Sequence, residues 1–135
     1  VPLITEYDAI RFIFDYYPWK LSNNDIINVN QALITKIENH FENVSKQMGY
    51  KVNTPEGLVN SLGYVALSSK DYEDAIYLFK LNVSNYPDSW NVYDSLGDCY
   101  SAEDDKTNAI DNYKKALSIK EVPITRQKLE KLQQK

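Results

Sequence analysis

Residues 90–123 read WNVYDSLGDCYSAEDDKTNAIDNYKKALSIKEVP, and residues 56–89 read EGLVNSLGYVALSSKDYEDAIYLFKLNVSNYPDS. Laid over one another without a gap, they share Ser61, Leu62 and Gly63 with Ser95, Leu96 and Gly97. Asp71 then falls on Asp105, Ala75 and Ile76 on Ala109 and Ile110, Phe79 on Tyr113, Lys80 on Lys114, and Ser84 on Ser118. A 34-residue period marks a stacked repeat, in which each unit buries its apolar face only against its neighbours. Small residues at Gly63 and Ala75 let two antiparallel helices approach closely, and Phe79 or Tyr113 fills the wider gap beside them. Thr54 before Pro55, Asp71, Asp88 and Asp105 are suited to cap helices, because a short side-chain oxygen accepts an orphan amide of the first turn. The spacing therefore predicts helices over 55–68, 72–85, 89–101 and 106–118, and an all-α fold of stacked antiparallel pairs.

Working outward, a helix after Pro123 with Ile124, Leu129 and Leu132 apolar and the rest polar is expected as a cap over 124–135, since the last pair would otherwise expose an apolar face. Upstream, Ile26, Val29, Leu33, Ile37, Phe41, Val44 and Met48 recur at helical spacing and Gly49 supplies a C-cap, which predicts one long amphipathic helix over most of 26–48. A short helix is expected over about 6–17, between Thr5 and Pro18. Its Tyr7, Ile10, Phe12, Ile13, Phe14 and Tyr17 are too many large apolar groups for a short helix to expose. It should dock on the 26–48 helix, on a second copy of the chain, or on both, with a homodimer forming through Phe12 and Phe14.

The 34-residue pattern resembles the tetratricopeptide repeat. In the second copy Tyr93, Leu96, Gly97, Tyr100, Ala109, Tyr113 and Ala116 occupy the family's aromatic, Leu-Gly, aromatic, Ala, aromatic and Ala places, with the closing Pro two positions late at Pro123. In the first copy Leu62, Gly63, Ala75, Phe79 and Pro87 fit, whereas Val59, Ala66 and Asn82 depart. The resemblance implies a right-handed α-α superhelix, in which Asn60, Tyr64 and Leu67 face a concave partner-binding groove beside Asn91, Asp94, Asp98 and Ser101. The Lys, Asn and Arg set with which some family members clamp a peptide carboxylate is absent, and Asp94 with Asp98 would repel that carboxylate. A second resemblance lies in VPLITEYDAIRFIF. Val1, Pro2, Tyr7, Arg11, Phe12, Ile13 and Phe14 look like the C-terminal edge of α/β-hydrolases of the enterochelin-esterase and esterase D group, and VNSLGY, FKLNVSNYP and NVYDSLGDCY look like a helical extension appended to certain bacterial members. This implies that residues 1–20 are the remnant of an upstream hydrolase domain lacking its catalytic serine, acid and histidine, and that 21–135 form the helical domain.

Composition agrees with a folded domain: 135 residues, 43% hydrophobic and 25% charged, with four Gly and five Pro. No apolar run is long enough to cross a bilayer, and the start lacks a signal-peptide pattern, so any export signal would lie upstream of Val1. The resemblance leaves a bacterial cytoplasm or periplasm open. Residues 70–112 carry ten acids against Lys70, Lys80 and Lys106 and should repel nucleic acid, while 113–135 are basic, as suits helix C-termini and a solvated face. Neither nucleic acid nor membrane is expected as a partner. No catalytic residue, metal ligand or cofactor is assigned: the lone Cys99 has no CxxC or His/Cys partner, His40 is expected as an exposed surface residue, and no phosphate loop or nucleophile elbow occurs. Glu103, Asp104 and Asp105 lack the spacing of a calcium loop and read as a turn with a helix cap. The expected function is a noncatalytic protein-interaction module. Its partner would be its own hydrolase domain, a second subunit or a peptide. The alternatives are a buttress with no partner of its own and a substrate-shaping part of a carboxylester hydrolase.

Overall fold

The structure, a computed structural model, describes residues 21–134. The expected helix over 6–17, its docking, the Phe12 and Phe14 contact and the hydrolase-like segment lie outside the described residues. Seven helices follow: α1 (Asn23–Ile27), α2 (Gln31–Met48), α3 (Glu56–Ser68), α4 (Tyr72–Asn85), α5 (Trp90–Ala102), α6 (Lys106–Ile119) and α7 (Pro123–Gln133). The fold is all-α and tetratricopeptide-like. α3 packs on α4 and α5 on α6 as antiparallel pairs; the pairs stack through α4 and α5, and α7 closes the far end on α6.

The expected small-to-large fit is the packing principle of both pairs. A Cβ built on Gly63 would lie 2.6 Å from Phe79 Cε1, and one on Gly97 would lie 2.6 Å from Tyr113 Cε1. Both rings are buried, so each glycine is the floor of an aromatic socket. The turns inside the pairs are copies as well. Lys70 (φ 61°) and Asp104 (φ 65°) take the left-handed conformation, after which the amides of Asp71 and Asp105 bond the carbonyls of Ala66 and Tyr100. Asp71 and Asp105 then cap α4 and α6 by accepting from the Asp74 and Asn108 amides. The acidic run at 103–105 is thus spent on a turn and a cap.

Three boundaries differ from expectation. α2 begins at Gln31 and not at 26, because Asn30 accepts the Leu33 amide and starts a new helix after the short α1, itself opened by a Ser22–Asp25 capping box. Val29 continues the apolar spacing, but as a linker residue packed between the first two core clusters. The caps of α3 and α5 are Pro55 and Ser89, neither with a side-chain bond to an amide of the helix it opens, in place of Thr54 and Asp88. Thr54 is buried, and its carbonyl accepts from the Tyr86 hydroxyl at 2.9 Å. Gly49 does end α2, at φ 74°.

The core runs as three connected clusters. α2 supplies Leu33, Ile34, Ile37, Phe41 and Val44 against Val59, Leu62 and Leu78 and so packs on the first pair. Ala66, Ala75, Phe79, Leu96 and Cys99 join the two pairs, and Ala109, Tyr113 and Leu129 seat the last helix. His40 is half-buried, not surface-exposed, with its ring edge-on to Phe41 at 5.1 Å, and burial holds its imidazole below the usual histidine range.

Candidate interaction groove

α3 and α5 run side by side, and the bonds between them keep close to the repeat period. Glu56 Oε1, at the start of α3, accepts from Ser89 Oγ (3.0 Å) and Asn91 Nδ2 (3.2 Å). Further along, the Tyr64 hydroxyl donates to Asp98 Oδ2 (2.8 Å), 34 residues away, and lies 3.2 Å from Ser95 Oγ. A polar ladder therefore fixes the register of the two first helices. It also brings Asn60, Tyr64, Asn91, Asp94 and Asp98 onto neighbouring stretches of α3 and α5. Asn60 is partly buried, and its Oδ1 is shielded from water without a hydrogen-bond partner. Leu67 packs on the central cluster, and Ser101 is partly exposed in the last turn of α5.

α7 reaches over Asp94 and Asp98, which buries Asp94 and leaves Asp98 only partly exposed. Asp94 is 6% exposed and accepts from Thr125 Oγ1 at 2.7 Å and Lys128 Nζ at 2.7 Å. Asp98 accepts from the Tyr113 hydroxyl at 2.7 Å and from Lys128 at 2.8 Å, besides Tyr64. Every carboxylate oxygen is thereby satisfied, the condition under which buried charge is tolerated. Burial alone would lower the Lys128 ammonium, but the hydrogen bonds and charges of Asp94 and Asp98 outweigh it and hold it above the usual lysine value. Burial pushes the Tyr64 and Tyr113 phenols up, and the carboxylates beside them oppose ionisation further.

Sequence reasoning missed Lys128, Thr125 and Tyr113 as members of this cluster. Lys128 falls 34 residues after Asp94, as Asp94 falls 34 after Asn60, so continuing the period into the cap helix identifies it. The basic end of the chain is largely spent internally: Lys115 lies over the Tyr93 ring at 5.7 Å, Lys120 over Trp90 at 5.9 Å, and Arg126 pairs with Glu121 at 2.6 Å.

Away from the groove, an open cleft of about 680 Å³ lies between the end of α2, residues 49–54 and α4, and none of the seven groove residues lines it. Of its polar groups, Lys46 pairs with Glu42, Ser45 bonds the Phe41 carbonyl and the Val52 amide, and Asn53 donates to the Asn85 carbonyl while its Oδ1 is buried without a hydrogen-bond partner. Cys99 is buried; desolvation, with Glu103 and Asp98 adding to it, pushes its thiol up to about 11, the reverse of an activated nucleophile. Among the described residues there is no group of His, Cys, Asp and Glu that could hold a metal ion, and no helix is long and apolar enough to cross a membrane.

The tetratricopeptide repeat family matches residues 91–123, nearly the whole of the second copy and both of its helices. No curated protein matches the chain. The match and the helical architecture support a tetratricopeptide-like domain of the kind that mediates protein contacts.

Proposed function

We propose that the chain is a noncatalytic protein-interaction module, and that the stretch of groove left open by α7, with Asn60, Tyr64, Leu67 and Asn91 on it and Ser101 at its end, takes a partner segment. The observation that carries this reading is the repeat match on 91–123, supported by the partly exposed Asn60, Tyr64, Leu67 and Asn91 on the neighbouring helices α3 and α5. The finer reading is that the module is the C-terminal helical extension of a bacterial esterase, with residues 1–20 belonging to the hydrolase part. It rests on the resemblance of Val1, Pro2, Tyr7 and Arg11 to Phe14, and of the stretches VNSLGY, FKLNVSNYP and NVYDSLGDCY. Under it, the partner is the chain's own hydrolase domain or a second subunit.

A photo-crosslinking amino acid at position 60 of the full natural gene product, with one at exposed Lys80 as control, tests both levels. Crosslinks from position 60 alone, weakened by Asn91→Ala, support the groove. Crosslinks into an upstream hydrolase domain of the same product support the esterase reading. Equal labelling from both positions refutes the groove, and the buttress reading gains if position 60 captures nothing.

A further inference from the structure

The cluster under α7 is not exhausted by its occupant. Asp94 and Asp98, one helical turn apart on α5, bring two carboxylates, and α7 brings the single ammonium of Lys128, so a half-buried site retains one negative charge after its own cation is seated. The apolar seat is thin as well. Of the eleven residues of α7 only Thr125 and Leu129 are buried, with Leu132 partly so, whereas Ile124 remains 55% exposed. α6, by comparison, buries Ala109, Tyr113 and Ala116. An element with few buried apolar groups opens locally at lower free energy than the core it covers. Its link to α6 is short and extended, Lys120 at φ −149°, ψ 128° and Val122 at φ −128°, ψ 118°, so α7 can lift without disturbing the helices below.

We propose that the face of α5 and α6 beneath α7 is an exchangeable seat for a basic amphipathic helix. α7 fills it in the resting chain, and a partner helix of the same chemistry fills it when α7 lifts. The chemistry is read from the resident helix: a hydroxyl at the position of Thr125 for Asp94, a cation three residues on that bridges Asp94 and Asp98, and leucines one and four residues after the cation. The net negative charge of the seat favours such a helix over an acidic or neutral one. This deepens the reading of the chain as an interaction module by naming a second, helical mode of engagement, and it does not use the open groove at Asn60.

The test uses the full chain and a fluorescent peptide of residues 121–135, followed by anisotropy in about 0.15 M salt. Leu129→Ala loosens the resident helix, so the peptide should bind that chain at least tenfold more tightly than the wild type. Adding Asp98→Asn to the chain, or Lys128→Ala to the peptide, should each weaken binding about tenfold. Equal binding to the wild-type and Leu129→Ala chains, or indifference to Lys128 in the peptide, overturns the proposal. Hydrogen exchange on the wild-type chain, which needs no variant to fold, provides the second arm. Amides of α7 should exchange at least tenfold faster than those of α5, and α7 amides as slow as those of α5 overturn it. Position-60 crosslinking is independent of both arms, so failure of the seat and failure of the groove are separable.

Discussion

Replacing Gly97 by alanine is the sharpest single test of how the stack is held together. The new Cβ would meet Tyr113 Cε1 at 2.6 Å and Cδ1 at 2.7 Å, about 1 Å inside the favourable carbon–carbon separation. The ring has little freedom to yield, since Tyr113 is 2% exposed and its hydroxyl is tied to Asp98 at 2.7 Å. Relief requires the helices to part or that bond to stretch. Overpacking of this kind costs about 1–3 kcal/mol, while alanine in a helix interior returns up to about 1 kcal/mol over glycine. For Gly97→Ala the expected net loss is about 2 kcal/mol, near the upper end of that balance because of the tether. For Gly63→Ala it is about 1 kcal/mol, since Phe79, at 2.6 Å, is buried but has no polar tether to hold its ring in place. Gly57 is the internal control: nothing lies within 4 Å of its Cβ position, so Gly57→Ala should gain about 0.5–1 kcal/mol. Urea and thermal melts followed by helical circular dichroism measure all three, with about 3–6 °C in Tm per kcal/mol for a domain of this size. A smaller side chain at position 79 should recover part of the Gly63→Ala loss in a double-mutant cycle. If Gly63→Ala and Gly97→Ala melt at or above the wild type, as Gly57→Ala is expected to, the aromatic sockets do not hold the pairs together.

The turns should respond the other way. Lys70→Gly and Asp104→Gly relieve left-handed φ values of 61° and 65° and should each stabilise by about 0.5–1 kcal/mol in the same melts, with a loss at both positions contradicting the turn geometry. Stability should fall as pH rises past about 9. Burial lifts the Cys99 thiol from an ordinary 9.0 to about 11 and raises the Tyr64 and Tyr113 phenols, so the unfolded chain gives up protons that the native chain keeps. Lys128 acts in the same sense: its raised value stabilises the fold below the ordinary lysine pKa, and that contribution disappears as pH climbs through the raised one. A urea midpoint unchanged between pH 8 and pH 10.5 would contradict these environments. Cys99, at 0% exposure, should react with an aromatic disulfide reagent at pH 8 at least a hundredfold more slowly than the urea-unfolded chain, and comparable rates would place it outside the core.

What was legible in the sequence was whatever repeats or is local. Gly63 and Gly97 each meet an aromatic sixteen residues later, a relation that sequence spacing and side-chain size display directly, and the structure puts each pair in contact. Asp71 and Asp105 are caps because a short carboxylate before a helical pattern has few other uses, and both accept the expected amide. The α1–α2 break was hidden because Val29 sustains the apolar period while two asparagines, weak signals taken singly, end one helix at Asn28 and start the next at Asn30.

The polar cluster was illegible for a different reason. Asp94, Asp98, Tyr64, Tyr113 and Lys128 come from four helices, and each has a sufficient local explanation: a groove acid, a repeat aromatic, a cation late in the chain. Only the stacking turns them into one unit. Two adjacent acids, which read from sequence as a surface that repels carboxylates, become the anchor for the cap helix once Lys128 lies 2.7 Å from one and 2.8 Å from the other. The same residues therefore cannot serve at full strength as both open groove lining and cap anchor. A partner that requires Asp94 and Asp98 must displace α7, whereas one that engages Asn60, Leu67 and Asn91 need not. Binding that survives with α7 in place belongs to the first half of the groove, and binding that grows when α7 is loosened belongs to the second.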